Sequence, residues 1–115
     1  MASTNPPEIA CNLGALSPKE RTRREALARA LVAQAEKIRE LEDGYAMQFS
    51  FESSLARESL EWLLLERQCC QFFRLELELE PNEGPFWLRF RGGPDVKNFL
   101  SAAGVIPKQS LPTRT

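Results

Sequence analysis

The residues in this sequence best suited to chemistry are two adjacent cysteines, Cys69 and Cys70. A third cysteine, Cys11, lies near the N-terminus, and the sequence contains no histidine. A set of thiolates without imidazole favours soft ions such as zinc, copper(I), mercury(II) or arsenic(III) over magnesium or calcium. The absence of histidine excludes Ser-His-Asp and Cys-His catalysis, as well as histidine-based zinc and haem sites, from this chain.

A carboxylate accompanies the paired cysteines. Glu66 precedes Cys69 and Cys70 by three and four residues, so on a helix the three side chains share one face. Carboxylates are rarely buried without a partner, and neutralisation by Arg67 or Arg74 would give Glu66 a purely structural role. The alternative is a cluster of thiols and a carboxylate that holds a soft metal or metalloid ion, with Glu66 as the fourth ligand or as a neighbour of the ion. The predicted metal site consists of Cys11, Cys69, Cys70 and Glu66.

The cysteines also fit two roles that involve no metal ion. Free cysteine is among the most buried residue types, so the thiols can simply be part of the core of a protein interaction module that has no catalytic activity. A thiol redox switch ranks below metal binding, because the negative end of a helix dipole raises the pKa of a thiol in the last turn. No catalytic residue is identified, and a binding protein is favoured over an enzyme.

The first helix has a well-defined predicted start. Ser17 is the N-cap, Pro18 occupies the first helical position, and Glu20 completes a capping box. The helix is predicted to run to about Asp43, where Gly44 would end it. Its apolar stripe has three- and four-residue spacing and comprises Leu27, Ala30, Leu31, Gln34, Ile38 and Leu41.

Two further helices are predicted. Ser53 or Ser54 is predicted to cap the second helix, which ends near Cys70, so that the paired cysteines lie in its last turn. The third is short, begins at Pro94 and ends near Ala103.

Three segments alternate between apolar and polar residues, as strands with one buried face do. They cover residues 45–51, 73–79 and 86–91, and the last two form a hairpin around a turn at residues 81–85. On the outer face of this hairpin, two glutamates are predicted to oppose two arginines and so to help set the register. These are Glu76 and Glu78 against Arg89 and Arg91.

The elements predict one α+β domain over residues 1–104, followed by a flexible C-terminal tail over residues 105–115. The order is α-β-α-β-β-α, with a small, mainly antiparallel three-stranded sheet packed on the helices. A chain of 115 residues can bury such a core without help from a metal ion or disulfides.

Composition restricts the partners. The chain has 15 basic and 16 acidic side chains and a net charge of −1. Nucleic acid is therefore a disfavoured partner, and the basic patch on the first helix is interrupted by Glu20 and Glu25. No segment has the roughly 20 apolar residues of a membrane span. An odd number of cysteines favours a reducing compartment, so we expect a cytoplasmic protein. The composition is compatible with a homodimer as well as with a monomer.

Three segments of the chain resemble a family of small bacterial proteins. The similar motifs are Glu-Arg-x-Cys-Cys-Pro-Phe at residues 66–72, Gly-Pro-x-Trp-Leu at residues 84–88, and Gly-Pro-x-x-Val-Lys-x-Phe-Leu at residues 93–100. An upstream Cys-x-Leu-x-x-Leu is similar to residues 11–16. This chain departs from the pattern at Gln71, where the family has proline. No reaction is established for that family, and the resemblance implies only that Cys11, Glu66, Cys69 and Cys70 belong together.

Overall fold

The computed structural model describes residues 12–102, with the backbone alone at residues 94, 99, 101 and 102. Cys11 and the predicted tail over residues 105–115 lie outside the described residues. The elements, in chain order, are a short 3-10 helix Leu13–Ala15, α1 Pro18–Gln34, β1 Lys37–Leu41, β2 Gly44–Phe49, α2 Ser53–Cys69, β3 Arg74–Leu79, β4 Phe86–Arg91 and α3 Pro94–Ala102.

The four strands form one sheet in the order β1-β2-β4-β3. Every neighbouring pair is antiparallel. The α+β class is therefore confirmed, whereas the predicted three-stranded sheet is wrong by one strand.

The additional strand, β1, lies where the first helix was predicted to continue. Helix α1 ends at Gln34, and the backbone of Ala35 is already extended. The Glu36 N–H donates to the carbonyl of Gln48, and Ile38 then pairs with Met47. The spacing of Ile38 fits a helical stripe as well as a strand, and neither glycine nor proline marks the change. Pairing with β2 therefore decides the conformation.

Gly44 does not end a helix; it begins β2 at the tight turn that follows β1. A Cβ atom at this position would lie 1.8 Å from the carbonyl oxygen of Phe90 on β4. The two strands can pair at this point because Gly44 has no side chain.

The core lies between the helices and one face of the sheet. Alternate residues of β2 and β4 supply that face, and Phe49 stacks on Phe86 with ring centroids 5.0 Å apart. From the helix side, Trp62 packs against Phe90, also at 5.0 Å. The most deeply buried large side chains are Trp62, Phe49, Phe86, Phe90, Leu31, Met47, Leu88 and Leu100.

Several local predictions are confirmed. The capping box at Ser17 and Glu20 forms both of its hydrogen bonds. The predicted serine cap of α2 is wrong, because the N-cap is Glu52 and no side chain caps the helix. Strand β4 has the predicted bounds. Of the predicted opposing charges, Glu76 lies opposite Arg89 as expected, whereas Glu78 lies opposite Trp87 and Arg91 lies opposite Arg74, so that part of the predicted register is wrong. Arg89 nevertheless forms an ion pair with Glu78 at 2.6 Å. Among the described residues, no helix combines the length and apolar character needed to cross a membrane.

Candidate metal centre

The C-terminal end of α2 positions the candidate site. An apolar face of this helix packs into the core, and the same face carries Glu66 and Cys69. Cys70 caps the helix, donating its N–H to the Glu66 carbonyl at 2.7 Å while its own backbone leaves the helical conformation. This change of direction brings the Sγ atoms of Cys69 and Cys70 to 3.3 Å from each other.

Glu66, Cys69 and Cys70 form a compact cluster. One carboxylate oxygen and the two Sγ atoms all lie within 4.8 Å of one another, which is close enough to hold a metal ion. Their relative exposures are 2%, 2% and 0%. No second group of three potential metal-ligating residues of this kind occurs in residues 12–102.

The two adjacent cysteines differ in chemical state. Cys69 is a free thiol, whereas Cys70 is disulfide-bonded. A metal ion requires thiolate ligands, so both sulfurs become available together only after the disulfide at Cys70 is reduced.

The partner of Glu66 is Arg24 of α1, and neither predicted arginine occupies that position. The Nε atom of Arg24 lies 2.9 Å from the Glu66 carboxylate, and its Nη2 donates to the other oxygen at 3.3 Å. Trp62 adds a hydrogen bond from Nε1 at 2.9 Å. Arg67 is exposed, and Arg74 instead faces Glu76. The prediction of Arg67 or Arg74 is therefore wrong.

The sequence contains a signal that places Arg24 on the buried face of α1, although it does not name its partner. Leu27 and Leu31 are buried on α1, and Arg24 precedes Leu27 by three residues. A helix places residues at this spacing on one face. An arginine in phase with buried leucines indicates a buried anion on the neighbouring element, because a charged group needs a partner there.

Electrostatics at the thiols are set by burial and by this ion pair. Burial raises the pKa of the Cys69 thiol above its ordinary value; the charge of Arg24 opposes that rise and the charge of Glu66 adds to it. The Nη2 atom of Arg24 also lies 3.9 Å from the Sγ of Cys70. Arg24 is thus the cation that can stabilise negative charge on sulfur here.

The segment before α1 reaches the same end of α2. The Asn12 N–H donates a hydrogen bond of 2.6 Å to the carbonyl oxygen of Cys69. The Asn12 side chain caps the following 3-10 turn, and Leu16 is buried in the core. Of the four predicted site residues, the structure brings Glu66, Cys69 and Cys70 together, and Cys11 lies outside the described residues.

Comparisons of the chain with protein-family models, with curated proteins and with solved structures find no match.

Proposed function

We propose that the reduced protein binds a soft metal or metalloid ion through Cys11, Cys69 and Cys70. The observation that carries this proposal is the buried cluster in which a carboxylate oxygen and two sulfurs lie within 4.8 Å of one another. Sulfur donors without imidazole select zinc, copper(I), mercury(II) or arsenic(III).

The hydrogen bond from Asn12 to Cys69 supports Cys11 as the third sulfur ligand. Consecutive Cα atoms are about 3.8 Å apart, and Asn12 is held at the last residue of α2 by its backbone N–H. Cys11 is therefore attached directly to a residue that contacts the site. It is the one cysteine of the sequence beyond the adjacent pair.

The contacts of Glu66 favour a role beside the ion. Its carboxylate already accepts from Arg24 and Trp62, and a direct metal bond would compete with these partners. The main contribution of Glu66 to ion binding is then to hold Arg24 near Cys70. Such neighbours orient metal ligands and tune their affinity.

Metal titration of the reduced protein tests the proposal. Wild type and the double variant Cys69→Ser/Cys70→Ser would be titrated with zinc, mercury(II) and arsenite after reduction with a phosphine, which contributes no competing thiol. We expect tight binding to wild type, none to the double variant and weaker binding to Cys11→Ser. Equal binding by wild type and the double variant would overturn the proposal.

A pair of glutamate variants on α2 tests the neighbouring role. Glu66→Gln removes the charge beside the sulfurs, while Glu61→Gln removes an exposed charge from the same helix. We expect about a 10–100-fold loss of affinity for Glu66→Gln, typical of residues that support metal ligands, and no change for Glu61→Gln. Circular dichroism of each variant verifies the fold.

A thiol redox switch is a second candidate function, favoured by the free Cys69 sulfur 3.3 Å from the disulfide-bonded Cys70. The Cys69 thiolate would attack the Cys70 sulfur, the existing S–S bond would break, and the former partner would leave as a thiolate. Burial of Cys69 slows this exchange, so the redox switch ranks below metal binding as a candidate function.

Disulfide mapping distinguishes the switch from metal binding. Protein equilibrated in a series of glutathione buffers would be trapped with acid and digested, and its cysteine pairings would be identified by mass spectrometry. Because the exchange leaves the number of disulfides unchanged, a switch predicts that some oxidised molecules contain a Cys69–Cys70 bond in place of the bond at Cys70, and that both bonds are lost in the most reducing buffers. Failure to detect any Cys69 disulfide would exclude it.

A protein interaction module with structural cysteines is the third candidate, because both sulfurs are almost completely buried. In that case, the reduced thiols of the native protein would react slowly with an alkylating reagent, and no soft ion would change their rate. Protection that appears only when an ion is added would favour the metal site instead.

A further inference from the structure

Strand β3 is an edge strand of the sheet. Within residues 12–102 it pairs with β4 on one side and with no strand on the other. Its inward-facing side chains are apolar, and Leu79 at the end of the strand is 59% exposed. An edge strand with an apolar face offers its unpaired N–H and C=O groups to another strand.

A groove runs alongside this edge, between α2 and β3. It has a volume of about 680 Å³, and its walls include Leu60, Leu63 and Leu64 of α2 opposite Leu75 and Leu77 of β3. Leu60 and Leu64 are 46% and 53% exposed. Exposed leucines bordered by polar side chains, here Arg67 and Gln71, are typical of an interaction site.

The sequence of β3 matches itself in an antiparallel arrangement. When two copies pair about Glu76, Arg74 of each strand lies opposite Glu78 of the other, and Leu75 lies opposite Leu77. Each dimer would contain two such pairs of opposite charges, which stabilise cross-strand pairing. Glu76 would meet its own copy at the axis, where Arg91 at 3.2 Å and Arg89 at 3.7 Å compensate its charge.

The other edge strand, β1, lacks this match. Lys37 and Arg39 point to the same face of the strand, because side chains two residues apart do so. Any antiparallel pairing of two β1 strands about Lys37, Ile38 or Arg39 places a cation opposite a cation. The charge pattern therefore selects β3 as the self-association edge.

We propose that two copies of this chain associate through their β3 edges, in the antiparallel register centred on Glu76. The two four-stranded sheets then form one continuous eight-stranded sheet. The two grooves face each other across the twofold axis, so that Leu60 and Leu64 of both copies become covered. Such an interface uses the same surface on both subunits and closes as a dimer.

Charge-reversal variants analysed by sedimentation velocity test the interface and its register. All samples are kept reduced, which prevents disulfides between chains. Wild type is expected at twice the monomer mass of 13.0 kDa. Arg74→Glu and Glu78→Arg each place like charges opposite each other, and each is expected to raise the dimer Kd about tenfold or more.

An equimolar mixture of the two variants is the decisive sample. In the mixed dimer, Glu at position 74 of one copy faces Arg at position 78 of the other, and the second pair keeps its native charges. We therefore expect the mixture to dimerise as wild type does. A mixture no more dimeric than the separate variants would overturn the register.

Two further variants complete the experiment. Arg29→Glu reverses an exposed charge on α1, away from β3, and is expected to leave the dimer intact. Leu64→Lys alters the exposed groove and is expected to weaken it, and circular dichroism verifies that every variant is folded. A monomeric wild type at high micromolar concentration, or an unaffected Arg74→Glu dimer, would overturn the proposal.

Discussion

The guanidinium of Arg24 lies 2.9 Å from the Glu66 carboxylate, across the contact between α1 and α2. Glu66 has a side-chain exposure of 3%, and that of Arg24 is 18%. This ion pair joins the two helices directly beside the paired cysteines. Each of the two charges requires the other, because either one alone would be left without a counter-charge in a largely apolar environment.

Loss of Arg24 is expected to be strongly destabilising. Arg24→Met leaves the buried Glu66 carboxylate without its cation, and we expect a loss of about 3 kcal/mol in the free energy of unfolding. Glu66→Gln is expected to cost less, because the neutral amide still accepts from Trp62. Urea denaturation of both variants and of the double variant measures the coupling between them. Strictly additive effects would contradict the proposed pairing.

The neighbouring ion pair offers a matched control. Arg23 and Glu61 also join α1 to α2, at 2.8 Å, but both side chains are nearly half exposed. Water screens such a pair. Arg23→Met and Glu61→Gln are therefore expected to shift the urea midpoint far less than Arg24→Met does.

The raised pKa of Cys69 predicts a loss of stability in alkaline solution. Burial keeps the thiol protonated in the folded state, whereas the unfolded chain releases that proton at its ordinary value. The free energy of unfolding should therefore decrease as pH rises above about 8.5. Urea midpoints of the reduced protein from pH 7 to 10 should fall more steeply for wild type than for Cys69→Ala. Parallel curves would refute this assignment.

Gly44→Ala is expected to disrupt the pairing of β2 with β4. The added Cβ would lie 1.8 Å from the Phe90 carbonyl oxygen, and backbone cannot move aside as a flexible side chain can. We expect a loss of about 2 kcal/mol or more in the free energy of unfolding. Gly14→Ala is the control, because its Cβ would meet only the Asn12 side chain, at 3.2 Å. Similar losses for both variants would argue against a steric cause.

Ser59→Ala is expected to be neutral or stabilising. The Ser59 side chain is completely buried on α2, and its hydroxyl has no hydrogen-bond partner in the described part of the chain. Removing an unpaired buried hydroxyl and gaining the helix propensity of alanine each favour the folded state, together by about 0.5–1 kcal/mol. A lower thermal midpoint for Ser59→Ala would indicate that the hydroxyl has a partner.

Local patterns in the sequence were sufficient for part of this protein. The capping box at Ser17, the alternation along β3 and β4, and the spacing of Glu66 from Cys69 and Cys70 are interactions between residues close in the chain. Their geometry follows from helix and strand periodicity alone. The α+β class and the cluster of Glu66 with the paired cysteines were therefore determined by the sequence.

The remaining features depend on contacts between residues that are distant in sequence, and local patterns do not specify them. Ile38 suits a helix or a strand, and hydrogen bonding to β2 selects the strand. Position 44 accommodates only glycine, because the backbone of Phe90, far along the chain, lies where a side chain would begin. The cation beside Glu66 comes from α1, since packing of the two helices brings Arg24 closer than arginines adjacent in sequence. Periodicity specifies which face a residue occupies, whereas packing selects the partner that it meets there.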